Sequence, residues 1–187
     1  MGKLVWKPGT MLYPVPAVLV TCGDMQNHNV CTIAWTGILN TDPAMTYVSI
    51  RKERHSYNMI KDSGEFVINL VPKDLVKALD YCGVRSGKNE NKFATMGLEI
   101  EEGRNVSVPL IKQSPINIEC KVTQIIPLGS HDMFMAQILS VDVDEKYLDE
   151  NGKFDLEKCN LVAYSHGQYY ELGENLGKFG FSVEKKK

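Results

Sequence analysis

The sequence predicts a mainly β protein of the α+β class, a β-barrel carrying short helical insertions. Three observations lead there. Short β-rich apolar runs recur along the chain, turn-forming pairs such as Asp42-Pro43 and Asn151-Gly152 separate segments, and helical spacing is confined to brief stretches. At 187 residues, 43% of them hydrophobic, the chain suits one domain with a sizeable core.

Ala17 to Thr21 (AVLVT) and Val30 to Ala34 (VCTIA) read as two strands joined by the polar loop CGDMQNHN. Thr46 to Ile50 gives a third after Asp42-Pro43. The period then changes. Ser56 can cap a short helix whose apolar positions Tyr57 and Ile60 lie three apart, and Ser63-Gly64 ends it before the strand Phe66 to Leu70. Lys73 to Tyr81 is a second helix candidate, with Leu75, Val76 and Leu79 on one face after Pro72. Asn89 to Met96 is a third, stopped by Gly97. The two longest strand candidates, Ile116 to Ile126 and Met133 to Val143, are joined by Pro127-Leu128-Gly129. The second is apolar or small on both alternating sets, which implies cover on both faces. Tyr147 to Glu157 reads as a hairpin around Asn151-Gly152.

Composition excludes several classes. No apolar run approaches bilayer length, and the opening MGKLVWKPGT lacks a sustained secretory segment, so a soluble cytoplasmic protein without a membrane partner is expected. The net charge is −2 and the only concentrated basic run is Lys185 to Lys187, which reads as a frayed solubilising tail. Nucleic acid is not an implied partner. Five cysteines without paired spacing fit reduced thiols, and Cys22, His28 and Cys31 lack the CxxC spacing of a metal site, so no metal is expected.

Several motifs invite chemistry. In GSHDMFMAQ, Ser130, His131 and Asp132 are the residue types of a hydrolytic triad, but neighbours on an extended chain face opposite ways, so His131 would point away from both. Gly83 to Lys88 (GVRSGK) is one residue short of a phosphate loop and continues into Asn89. Ser165-His166-Gly167 lacks the flanking glycine of a nucleophile elbow, and no GxGxxG follows a strand. SIRKERHS is more informative: Ser49, Arg51, Arg54 and Ser56 stand where a strand gives way to a helix, and the arginine forks with the helix start suit an anion. A solvated turn with an ordinary cap explains the same residues. In NVCTIAWTG, Trp35 is either core or a packing surface for a flat ring. Cys31 and Cys82 read as buried, unreactive thiols with no adjacent basic group.

Taken in order, NVCTIAWTG, DP, SIRKERHSYxxI, GEFVINL, DYCGVxSGKxxxKF and LGSHDMF resemble the flavin reductase-like family, and within it the flavoredoxins. The resemblance runs from about Pro14 to Tyr164, the core of a single domain spanning residues 1–187. It implies an FMN-binding split β-barrel, a homodimer with a flavin site near each subunit interface, and electron transfer through non-covalent FMN. Carried onto this sequence, Asn29, Thr32, Ala34, Trp35 and Thr36 line the flavin pocket, and Ser56 with Arg51 or Arg54 holds the phosphate end. Lys92, His131 and Tyr164 supply the remaining contacts, with His131 or Lys92 as donors favouring the reduced ring. No catalytic nucleophile is implied. Three readings follow: an oxidoreductase using NADH or NADPH, an electron carrier reduced by a redox protein partner, and a split-barrel binding protein with a degenerate pocket.

Overall fold

The computed structural model describes residues 2–184; the basic run Lys185–Lys187 lies outside them. Along the described chain come β1 (Val15–Pro16), β2 (Val18–Gly23), β3 (His28–Ile33), β4 (Thr36–Thr41), β5 (Ala44–Ile50), α1 (His55–Ser63), β6 (Glu65–Leu70), α2 (Val76–Val84) and α3 (Lys92–Met96). The order continues with β7 (Ile100–Glu101), β8 (Leu110–Ile111), β9 (Ile116–Pro127), β10 (Asp132–Val143), β11 (Val162–Ser165) and β12 (Gln168–Glu171).

Seven strands make one antiparallel sheet in the order β3-β2-β6-β9-β10-β5-β4, and β1, β11 and β12 make a smaller one. This is a split β-barrel. Alternation places the core. Val18, Val20, Phe66, Ile68, Phe134 and Ala136 meet Tyr57 and Ile60 of α1 in one cluster. The opposite faces of β2 and β3, through Leu19 and Val30, together with Ala17 just before β2, meet Leu79, Cys82 and Phe93 of α2 and α3 in a second cluster. Central strands are therefore apolar on both sides, which is why their sequences read as near-continuous apolar runs.

Each long predicted strand and each predicted helix forms, with instructive differences. The helix expected from Lys73 begins as a 3₁₀ turn, Lys73–Leu75, and its α-helical part runs through Gly83 to Val84. Met133 to Val143 is not covered on both faces along its length: Leu139, Val141 and Val143 are exposed, because they alternate away from the packed face that carries Phe134, Ala136 and Ile138. Around Asn151-Gly152 only a turn with the single bridge Leu148↔Phe154 forms, with Tyr147 packed edge-on against Phe154. The hairpin β11–β12 was not anticipated. His166 and Gly167 both have positive φ, the requirement of a two-residue turn whose twist matches its strands.

Among the described residues no helix is long and apolar enough to cross a membrane, and no group of three His, Cys, Asp or Glu is placed to hold a metal ion. All five cysteines are free and buried.

Candidate functional site

The turn between β5 and α1 is the centre of the site. Arg54 is the N-cap of α1, and no side chain caps the first helical turn. Ser56 is thus not the cap expected from the sequence. It lies one step inside the helix, 0% exposed, and its Oγ accepts a hydrogen bond from Asn29 Nδ2 at 2.8 Å. The interior partner supplied by β3 is what the linear pattern could not show. Arg54 Nη1 donates to the Gly83 carbonyl at 2.8 Å, tying the start of α1 to the end of α2.

Two cavities adjoin at this turn, sharing Cys31, Arg51 and Arg54. One, of about 310 Å³, is lined by Asn29, Ser56, Cys82, Arg85, Ser86, Gly87 and Lys92 beside the shared residues, with Glu53 as its carboxylate. Lys92 is only 3% exposed. Its Nζ donates to the carbonyls of Cys82 at 3.2 Å and Arg85 at 3.3 Å, and among the described residues no carboxylate lies within 4.0 Å of it. Buried charges are ordinarily paired, so a buried ammonium answered only by carbonyl dipoles has the chemistry to receive an anion. Three arginine forks at the rim reinforce that charge.

The second cavity, of about 300 Å³, is flatter in chemistry. Thr32, Ala34, Trp35, Ser49, His131, Tyr164 and Tyr169 line it, with Asp80, Gly83 and Val84 from α2. Tyr13 stands 6.3 Å from Trp35 and 6.0 Å from Tyr164, centroid to centroid, so an aromatic cluster backs one wall. The Thr32 hydroxyl is already used: it donates to the Leu79 carbonyl and fastens β3 to α2. Thr36 lines neither cavity. It is buried and donates to the Tyr47 carbonyl, which holds β4 on β5 directly after Trp35.

His131 faces this cavity from the head of β10. Ser130 Oγ lies 2.9 Å from its Nδ1, because the chain bends at Gly129, where φ is +99°, and is not yet extended. The expectation that His131 would avoid Ser130 therefore fails. No triad results, since Asp132 turns inward and accepts from the Tyr57 hydroxyl at 2.6 Å. Burial, then the nearby Arg51 charge, holds His131 below its usual 6.5, which favours the neutral ring.

The thiols beside the site are quiet. Burial pushes Cys31 up, and Cys82 up to about 11. Contrary to the sequence expectation a basic group is near both, but the opposing pull of Lys92 does not overcome desolvation.

Of the eleven residues expected at a cofactor site, the structure brings ten to these two cavities and leaves out Thr36. Sequence reasoning missed Cys31, Arg85, Ser86 and Gly87 in the anion cavity and Asp80, Val84 and Tyr169 around the other. GVRSGK carried a usable signal. It fails as a phosphate loop, yet a Cβ on Gly87 would sit 2.1 Å from Asn29 Oδ1, so any side chain there would have to displace Asn29 where this segment closes over β3.

The flavin reductase like domain model matches residues 10–173. The chain belongs to the flavin reductase like family. An uncharacterized protein of Archaeoglobus fulgidus is 32% identical over 159 residues, 85% of this chain and 88% of its own. The flavoredoxin of Desulfovibrio vulgaris (Miyazaki F) superposes with a TM-score of 0.90 at 33% identity, covering 98% of this chain and 100% of that one. A flavoredoxin from Methanosarcina acetivorans gives 0.89 at 26% identity, with the same coverage.

Proposed function

We propose that this flavin reductase like protein is an oxidoreductase that holds FMN non-covalently and passes electrons from NADH or NADPH to a small-molecule or protein acceptor. The observation that carries this reading is the buried, carboxylate-free Lys92 beside the Asn29–Ser56 pair, at the end of a trough whose other half is aromatic. The donor set fits a flavin mononucleotide. Lys92, Arg51, Arg54 and Ser56 hold the phosphate, with Arg85 and Ser86 at the rim. Asn29, Thr32, Ala34, Trp35, His131 and Tyr164 surround the sugar and ring, and Thr36 holds the strand behind them.

When bound, the isoalloxazine ring supplies the redox chemistry. The protein's part is to place the ring, leave one face open and answer the negative charge that reduction brings. His131 suits the last task, since Nδ1 engages Ser130 and Nε2 remains to donate. Similarity to two flavoredoxins supports a second reading, an FMN electron carrier reduced by a protein partner.

The test is the visible spectrum of the purified protein with FMN, recorded anaerobically before and after NADH, with NADPH in parallel. The expected result is a bound-flavin spectrum that bleaches. A bound spectrum untouched by either nucleotide favours the carrier, and no bound flavin at all overturns the reading. The chain is also expected to form a homodimer. Ile38 of β4 is 87% exposed, near Leu39, and the terminal segments expose Trp6, Leu172 and Phe179. Sedimentation equilibrium checks this, with a dimer expected and a monomer contradicting it.

A further inference from the structure

Asp132 is buried, yet it lines neither cavity and is needed for no hydrolytic triad. Its contacts all concern one turn. Oδ2 accepts from the Tyr57 hydroxyl at 2.6 Å, Lys52 Nζ lies 3.5 Å from Oδ1, and along the sheet Asp132 is the register partner of Ile50. Residues 50, 52 and 57 bracket the segment that carries Arg51, Arg54 and Ser56. Asp132 therefore grips this turn from both sides.

The grip connects the two halves of the trough. Tyr57 follows Ser56 on α1, and Asp132 follows His131 on β10. Their hydrogen bond is the only side-chain hydrogen bond between α1 and β10 among the described residues. The Tyr57 ring packs edge-on against Phe134 at 5.3 Å and 81°, so its hydroxyl has little freedom to turn elsewhere. A buried carboxylate whose second oxygen has no hydrogen-bond partner, only the exposed Lys52 ammonium at 3.5 Å, is an expensive way to fill space, because desolvation opposes it and an apolar side chain would pack as well. What the carboxylate does that an apolar residue cannot is fix direction.

We propose that Tyr57 and Asp132 are positioning residues: their buried hydrogen bond latches the anion end of the site in register with its ring end. The inference rests on the proposed flavin site. Without the latch, α1 and its turn keep their hydrophobic packing, but Ser56, Arg51 and Arg54 lose their set distance from His131 and Trp35. Phosphate and ring then no longer gain from being joined in one ligand.

The experiment compares FMN with riboflavin, which has the same ring and no phosphate, by fluorescence titration of the full chain. The ratio of their dissociation constants reads the phosphate advantage. In Tyr57→Phe and in Asp132→Ala this ratio is expected to fall about tenfold. In Asp132→Asn, whose amide oxygen still accepts from Tyr57, it recovers most of the wild-type value. A merely structural role would lower the melting temperature and weaken both ligands alike. A ratio within about twofold of the wild type in Tyr57→Phe therefore overturns the latch, whatever happens to stability. Where the lone carboxylate spoils folding, the double variant Tyr57→Phe/Asp132→Asn gives the same reading. Wild-type protein that binds neither flavin overturns the flavin reading itself, and the latch with it.

Discussion

At one end of the trough Lys92, Asn29 and Ser56 are buried, hydrogen-bonded and fixed before any ligand arrives; at the other, Trp35, Tyr164 and His131 stand half exposed around an open slot. The anion end is assembled from four chain segments, β3, the start of α1, the end of α2 with its following loop, and α3. Its members already satisfy one another, so binding there costs little ordering, and affinity is expected to concentrate at that end. The ring end is held mainly by packing. Its openness suits a reaction in which a second molecule must reach a flat face. In the proposed flavin site, rigid anchoring and open chemistry would thus be separated along one ligand.

Removing the anchor tests that separation most severely. Lys92→Met is expected to weaken FMN binding by about 2–5 kcal/mol, the range for truncating one partner of a buried charge pair, while riboflavin binding changes little. Fluorescence titration with both ligands reads this. Equal losses for the two would place Lys92 in the framework of the site and away from phosphate.

Gly87→Ala attacks the same end without touching a charge. The new methyl group would collide with Asn29 Oδ1 and push that side chain off Ser56, leaving buried polar groups unpaired. FMN affinity should fall by about 1–3 kcal/mol, and isothermal titration calorimetry measures it. An unchanged affinity would mean that Asn29 moves freely and that the Asn29–Ser56 bond is dispensable.

The opposite end should answer differently. Trp35→Ala is expected to cost FMN and riboflavin about 1 kcal/mol each, because both present the same ring. A loss confined to FMN would contradict the division of labour.

The smallest effect concerns His131. Its pKa in the folded protein lies below the usual 6.5, so the unfolded chain takes up the proton first as pH falls. Stability that is present above the unfolded value is lost as pH drops through it toward the folded value, and constant below both. Wild-type protein should therefore lose a small part of its melting temperature below about pH 6.5, and His131→Gln should lose less over the same window. A calorimetric series with parallel slopes would remove His131 from the account of pH dependence.

The same contrast governs how much was legible in the sequence. Strands such as Phe66 to Leu70 and Ile116 to Ile126 announce themselves because burial writes a local apolar pattern. The exposed half of β10 does not. Leu139, Val141 and Val143 look like core in one dimension, and only the packing of the face that carries Phe134 and Ala136 reveals that theirs is left uncovered. At the site, the arginines of SIRKERHS were readable as a candidate anion motif, since their spacing follows a strand-to-helix junction, and Arg51 and Arg54 do line the cavities. The rest of the anion end was not, because it depends on meetings far apart in sequence: Asn29 with Ser56, Lys92 with the Cys82 carbonyl, Gly87 against β3. A lysine at the first position of a short helix carries no sequence mark of burial. Its place in the expected site came from family resemblance, and the structure supplies the physical reason to single it out.

The measurement that bears most directly on the central claim is the affinity of the wild-type chain for FMN against riboflavin, titrated side by side at low and at high salt. FMN is expected to bind tighter by about 2 kcal/mol or more, a margin that narrows as salt screens the exposed arginines but persists through buried Lys92. Equal affinities for the two flavins would contradict it, for then the buried ammonium and its arginine rim would be holding no phosphate.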